Sequence, residues 1–358
     1  MSRDEAGARG YGTSFQGIGG TIKLREEDFE VSELLSDAHG ASPSLKGRGF
    51  PLFAVTKRGR TTGEAKSAME RALRVRLNVL GLKDRAAVVH QFASARGRGT
   101  VPAEWRTPGV RALYVADTRE PLARSDLFGN AFRVVVSGAR EDGSRLRELR
   151  DSLRGGLVPN FYGGQRFGSR RPNHLVGRAI VKGEFGQACG LAGLKEGDGA
   201  VGALRRVPLP IRRLYVNAYQ SYLFNRCLSG VLEGGGLPAG ELCIGRHPDA
   251  VLVDGRIRRA GEVGGSLLPV PLCPLPGYAF RDRGDAYSRA MAAVLAEEGI
   301  AARDFFVKEM QEVSAEGGLR PASMIGWVRG WRMGGGVELR FVLYRGSYAT
   351  VLLREAVK

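Results

Sequence analysis

The stretch GLKDRAAVVHQFASA, residues 81–95, sets Asp84 between Lys83 and Arg85 just ahead of an apolar run. A carboxylate at the mouth of a cleft can attack carbon as a nucleophile or remove a proton as a base. Either task requires it to stay ionised. Burial alone raises its pKa, and a nearby cation brings it back down. If NVLGLKD runs as a strand up to the acid, Lys83 and Arg85 project to the side opposite Asp84, and a cation for the carboxylate must come from another segment. An aspartate at a strand end equally serves as a turn former or a cap, so residue types alone leave both readings open.

Other stretches offer groups that would handle a base, a ribose or a phosphate. In LFGNAFRVVV (127–136), Asn130 and Phe132 are two apart and share one face of a strand. An amide beside an aromatic ring suits a base edge and a stacking surface; a Gly-Asn turn before a core phenylalanine gives the same letters. NFYGGQRFG (160–168) combines aromatics, paired glycines and Arg166. Glycines let a backbone approach closely and arginine suits phosphate, and a structural turn reads alike. In NAYQSYLFN (217–225), Tyr215, Tyr219 and Leu223 share one helical face and Ala218, Tyr222 and Asn225 another, a pattern commoner in cores than in ligand sites. The closing YRGSYATVLLREAVK needs no function to explain it: Gly346 and Ser347 open a helix, and Arg354 and Lys358 complement its dipole.

The chain has 358 residues and a formal net charge of +17, with 43% hydrophobic and 25% charged residues. That is a soluble composition with room for two domains and a polyanionic partner, nucleic acid before anionic membrane. A general arginine bias would raise the charge in the same way. No apolar run reaches the roughly 20 residues needed to span a bilayer, and MSRDEAGARG lacks the apolar core of a signal peptide. The four cysteines contain no C-x-x-C and the four histidines no H-E-x-x-H, so neither a metal site nor a disulfide frame is expected, and reduced thiols fit the cytoplasm. No nucleotide-binding glycine loop follows an expected strand. A chain working without metal or cofactor is the expectation.

The elements that must position these residues read as strands in TIKLREEDFEVSELL (21–35), FPLFAVTKRG (50–59), RALYVAD (111–117) and AFRVVVSG (131–138). Thr61 and Glu64 form a capping box ahead of a helix with Ala65, Met69, Ala72, Leu73 and Leu77 on one face. SRLRELRDSLRGG is an amphipathic helix with a glycine stop. After residue 168 the texture changes: helices are expected over 211–236 and 285–299, with short strands in the Gly- and Pro-rich 234–282 between them. Strands resume from about 318. The pattern is α+β, a sheet domain of 1–168 plus 319–358 interrupted by an insertion at 169–318.

Taken in order, seven blocks resemble the TruD family of tRNA pseudouridine synthases: KLREEDFEVSE, TKRGRTT, GLKDRAAVVHQ, LFGNAF, PNFYGGQRFG, AYQSYLFN and GSYATVLLRE. They run from about residue 20 to the C-terminus; Val89 stands where that family usually has threonine, and NFYG replaces its commoner NYFG. The resemblance implies a pseudouridine-synthase fold, a mixed and largely antiparallel sheet flanked by helices with an inserted α+β domain. It implies action without cofactor on tRNA uridine, typically position 13, by a cytoplasmic monomer that binds neither metal nor membrane. By motif position Asp84 resembles the catalytic aspartate, Asn130 the asparagine that orients it, and Phe132 the ring that stacks on the target base. Lys23, Phe29 and Tyr348 fall at other positions of that family's active-site cleft, and Arg85 and Arg166 suit the polyanionic substrate. A non-catalytic RNA-binding protein of the same fold would share the charge and the aromatics, and only Asp84 within its motif separates the two. A methyltransferase would need the glycine-rich cofactor loop that is missing after the strands.

Overall fold

The computed structural model describes residues 7–22, 25–36, 45–83, 85–140, 143–154, 158–168, 172–197, 199–237, 242–243, 250–253, 256–259, 270–324, 326–334 and 336–358. Asp84 and Lys23 lie outside them. The first half holds strands β1 (Thr21–Ile22), β2 (Phe29–Ser36), β3 (Phe50–Lys57), β4 (Leu77–Val79), β5 (Val88–Ala95), β6 (Glu104–Thr107), β7 (Val110–Thr118) and β8 (Leu127–Ser137), with helices α1 (Thr62–Leu73) and α2 (Gly143–Arg154). A helical block follows, α3 (Asn173–Val181), α4 (Phe185–Ala192), α5 (Ala200–Arg205) and α6 (Leu209–Glu233). Next come β9 (Leu242–Cys243), β10 (Ala250–Val253), β11 (Arg256–Arg259), β12 (Val270–Leu275), α7 (Ala286–Glu297) and β13 (Gly318–Pro321). β14 (Gly326–Met333), β15 (Gly336–Tyr344) and α8 (Ala349–Val357) close the chain.

The main sheet runs β14-β15-β8-β2-β5-β3-β7-β6, so the last two strands do complete the sheet begun at the N-terminus. Every pairing along it is antiparallel except β2 with β5. Alternation along β2 and β8 turns Phe29, Val31, Phe132 and Val134 to one face, where Phe341 of β15 and the apolar sides of α2 and α8 join them. This cluster continues without a break into Val176, Ile180, Tyr219, Leu223, Phe224, Met291 and Phe305 of the helical block. The aromatic stripe of α6 is therefore core. The core also crosses both expected domain boundaries, and Gly12 N–H donates to Glu355 of α8 at 2.7 Å while Arg9 N–H donates to Ser229 of α6 at 2.8 Å. Ala65 and Met69 of α1 cover a second cluster with Phe53, Val55, Ala93 and Ala112 at the other end of the sheet.

The structure differs from the sequence reading at several points. The expected strand over 21–35 is interrupted by a 3-10 turn at Glu26–Asp28, where the Asp28 carboxylate accepts from Arg25 N–H at 2.9 Å. The first helix ends at Leu73 because Arg74 takes the left-handed conformation (φ 54°), leaving Ala72 exposed and moving Leu77 into β4. The strand expected to end at the acid stops at Val79, and β5 returns antiparallel to it. Residues 80–83 and 85–87 are loop instead, and the Lys83 N–H and carbonyl bond to the side chains of Thr62 and Lys57 rather than to a neighbouring strand. Helices α3, α4 and α5 fall in a region where the sequence pattern predicts no element. Cys227 and Cys273, far apart in sequence, bring their sulfurs within 3.7 Å in the core, and both are free thiols.

Candidate active site

One cleft of about 220 Å³ gathers side chains from six elements of the fold. β2 supplies Phe29 and Val31, β8 supplies Asn130 and Phe132, and β5 supplies Val89. The 80–87 loop adds Leu82, Lys83 and Ala87, and Leu82, 86% exposed, stands at its lip. Gln165 comes from the short 3-10 turn Gly164–Phe167, and Ser347 to Thr350 from the start of α8. Register explains the convergence: Val31 lies across from both Phe132 and Val89, and Asn130 lies across from Glu33.

The apolar wall is built from rings. Phe132 stacks on Phe341 with centroids 4.9 Å apart and meets Phe29 edge-on at 6.0 Å. Tyr348 closes the opposite side, 6.0 Å from Tyr162. A Cβ on Gly163 would sit 2.8 Å from a Tyr348 ring carbon, so the first glycine of the NFYGG stretch makes room for that tyrosine. Burial pushes the Tyr348 hydroxyl above the usual tyrosine pKa, partly offset by Arg166 and Arg320. Arg320 lies 4.1 Å from the Tyr162 ring centroid and donates to the carbonyls of Asn160 and Gly346, the latter at 2.8 Å. It ties β13 to the turn just before Tyr348.

The polar wall is a buried charge network around the loop. Lys83 Nζ donates to Asn130 Oδ1 at 2.6 Å and lies 3.4 Å from the Glu33 carboxylate. Glu33 is 1% exposed and also accepts from Phe92 N–H at 2.9 Å. Burial raises its pKa above the usual carboxylate range, with Lys83 and that N–H working against the rise. The Lys83 main chain is held as well. Its N–H donates to Thr62 Oγ1 at 2.9 Å, and Thr62 in turn donates to Gln91 Oε1. Its carbonyl accepts from Lys57 Nζ at 3.4 Å, and Lys57, fully buried, donates to the Arg60 carbonyl at 2.8 Å. On the other side of Asp84 in the chain, Arg85 donates to Glu64 Oε1 at 2.6 Å. Glu64 is also the partner of Thr61 in the capping box that starts α1. Both residues flanking Asp84 are thus anchored to the first turn of one helix.

A family model described as tRNA pseudouridine synthase D (TruD) matches residues 5–192 and 190–356. The chain belongs to the TruD family. It is 33% identical to the probable tRNA pseudouridine synthase D of Pyrobaculum arsenaticum, with 95% of this chain and 92% of that protein covered. It is 34% identical to the tRNA pseudouridine synthase D of Anaeromyxobacter dehalogenans strain 2CP-C, with 96% and 94% covered. Its fold matches the crystal structure of the putative TruD of Methanosarcina mazei with a TM-score of 0.75 at 24% identity, over 99% of this chain and 97% of that one.

Of the residues that the TruD motifs single out, Phe29, Asn130, Phe132 and Tyr348 meet in the one cleft. Asp84 and Lys23 fall outside the described residues. Arg85 does not line the cleft; its partner is Glu64 at the surface. Arg166 lies behind Tyr162, 5.6 Å from that ring centroid, and donates to Ser221 Oγ at 3.1 Å. Lys83 departs from the strand-based expectation: in a loop it turns into the cleft, beside Asn130. Sequence reasoning passed over Glu33 and Lys57, and noted Gln165 in its motif without giving it a role. The signals were present, since Glu33 and Lys57 sit inside the KLREEDFEVSE and TKRGRTT blocks, but nothing in their types marks them as buried. Among the described residues no group of three His, Cys, Asp or Glu side chains could hold a metal, and no helix is long and apolar enough to cross a membrane.

Proposed function

We propose that this chain isomerises uridine to pseudouridine in tRNA, at position 13, with Asp84 as nucleophile and Asn130 orienting it. The observation that carries the reading is the cleft itself: rings on one wall, an amide and an ammonium on the other, and Lys83, the chain neighbour of Asp84, fixed between them. Pseudouridine formation breaks an N-glycosidic bond, turns the uracil and rejoins it through carbon 5. Nothing is oxidised and no group is added, so a carboxylate and a pocket suffice. The carboxylate attacks the ribose anomeric carbon or takes the 2′ proton to give a glycal.

The uridine must leave its stack to reach such a group. A cleft of about 220 Å³ falls below the roughly 300–1,000 Å³ of sites for drug-sized ligands and suits one base. Phe132 offers the stacking ring, and Phe29 and Tyr348 close the sides. The +17 charge supplies the long-range attraction to tRNA. The enzyme is expected to act as a monomer in the cytoplasm, without metal or cofactor.

The test is to incubate the purified chain with an unmodified tRNA transcript in buffer lacking any cofactor and to map pseudouridine with carbodiimide. A new stop at position 13 supports the reading. A stop at another uridine moves the site specificity, and none at all leaves an RNA-binding protein.

A further inference from the structure

Lys83 reaches the one atom of Asn130 that decides which way its amide faces. An ammonium only donates hydrogen bonds, whereas an asparagine side chain accepts at Oδ1 and donates at Nδ2. With Lys83 Nζ at 2.6 Å, the carbonyl end must face the lysine. The reversed amide would set donor against donor. Among the described residues no group accepts from Asn130 Nδ2, and Asn130 lines the cleft. Lys83 is in turn kept in place by the buried Glu33 carboxylate at 3.4 Å and by its main-chain bonds to Thr62 and Lys57.

We infer that Lys83 is a positioning residue for catalysis: anchored by Glu33, it holds Asn130 so that the amide N–H groups, not the carbonyl, are offered to the catalytic carboxylate. This rests on the reading of Asp84 as that carboxylate. A carboxylate accepts only, so an amide free to turn would present its carbonyl part of the time and repel it. The ammonium removes that freedom, and Glu33 supplies the counter-charge that lets a lysine stay in a half-buried wall. Lys83 therefore acts through Asn130, and its worth disappears when Asn130 is absent.

A double-mutant cycle tests this directly, because residues acting in series give non-additive effects. Turnover and KM for full-length tRNA are measured for the wild type, Lys83→Met, Asn130→Ala and the double variant. Lys83→Met is expected to lower kcat about 10- to 100-fold with KM within about threefold, and to cost the Asn130→Ala enzyme less than about threefold more. Full multiplication of the two single effects would overturn the inference, since Lys83 would then act on its own. Wild-type kcat for Lys83→Met would overturn it as well. Because Lys83→Met strands the Glu33 charge, Glu33→Gln/Lys83→Met is measured beside it with a thermal melt. The pair is expected to melt near the wild type and to keep the kcat loss; recovery of kcat would trace the defect to the stranded charge and sink the inference. Asp84→Asn serves as the reference. If it turns over normally the catalytic reading itself falls, whereas an inactive Asp84→Asn beside a normal Lys83→Met removes the Lys83 inference alone.

Discussion

The Phe132 ring lies nearly parallel to that of Phe341, 19° between planes and 4.9 Å between centroids, so one of its faces is already packed against the sheet. Its outer side borders the cleft. A ring backed in this way cannot retreat from a base stacked on it. Stacking on an aromatic side chain is worth about 1–3 kcal/mol per base. Phe132→Ala should therefore lower turnover about 10- to 100-fold in single-turnover assays without abolishing it. Loss below detection would mean the ring does more than stack, and no loss would place the base elsewhere.

Lys57 is fully buried and gives its ammonium to two main-chain carbonyls, those of Arg60 and Lys83. It joins the end of β3 to the loop that leads into Asp84. Hydrogen bonds from a charged group contribute about 1.5–3 kcal/mol. Lys57→Met keeps the length of the stem and removes those bonds. Turnover should fall by about 10-fold or more while tRNA affinity in a filter-binding assay stays within a few-fold. Turnover equal to the wild type would show that the loop holds its place without the lysine.

Glu30 points to the opposite face of β2 from Glu33 and serves as a control. Its carboxylate lies 3.0 Å from His90 Nε2, and that hydrogen bond, with the charges of His90, Arg133 and Arg340, lowers its pKa against the opposing effect of burial. A carboxyl group with a depressed folded pKa stabilises the fold above its unfolded value, about 4.3, and the contribution is lost as pH falls through the lower folded value. Glu30→Gln should melt at a lower temperature than the wild type near pH 7. The gap should narrow below about pH 4 and close once both states carry the proton. A gap that stays unchanged as the pH is lowered to about 2 would assign the effect to packing.

The net charge of +17 makes a separate prediction about binding. When several phosphates are neutralised, log K falls linearly with log salt, and affinity drops about 10³- to 10⁵-fold between roughly 50 and 200 mM. A loss of orders of magnitude over that range, measured by filter binding with unmodified tRNA, is expected. A flat profile would mean the arginines are compositional.

The motifs foretold that Phe29, Asn130, Phe132 and Tyr348 meet, although they come from opposite ends of the chain. Alternation on β2 and β8 makes two of those meetings readable, and the order of the blocks suggests the rest. What escapes a sequence reading is the charge network. NVLGLKD has strand-like residues through Lys83, yet the hydroxyl of Thr62 draws the Lys83 N–H out of the ladder. Glu33 and Lys57 look like ordinary surface charges in sequence, and only tertiary packing decides which charges are buried. The continuous core is equally hidden. The change of texture after residue 168 is visible in the sequence, but the apolar contacts of α3 and α6 with the sheet side show in no local pattern. Removing 169–318 would expose that shared core, so point substitutions probe this enzyme better than truncation.

The central claim is that Asp84 performs the chemistry, and the turnover of Asp84→Asn tests it most directly. Asparagine keeps the shape and most of the hydrogen-bonding capacity while removing the charge and the nucleophile. Pseudouridine formed in tRNA is measured against the wild type. Mass spectrometry confirms that the introduced asparagine has not deamidated back to aspartate, and filter binding confirms that tRNA still binds. Turnover is predicted to fall at least about 10⁴-fold, the scale seen when a group essential to a covalent or acid–base step is removed, with affinity within a few-fold or tighter. Pseudouridine formation at the wild-type rate by the intact Asp84→Asn protein would contradict the claim.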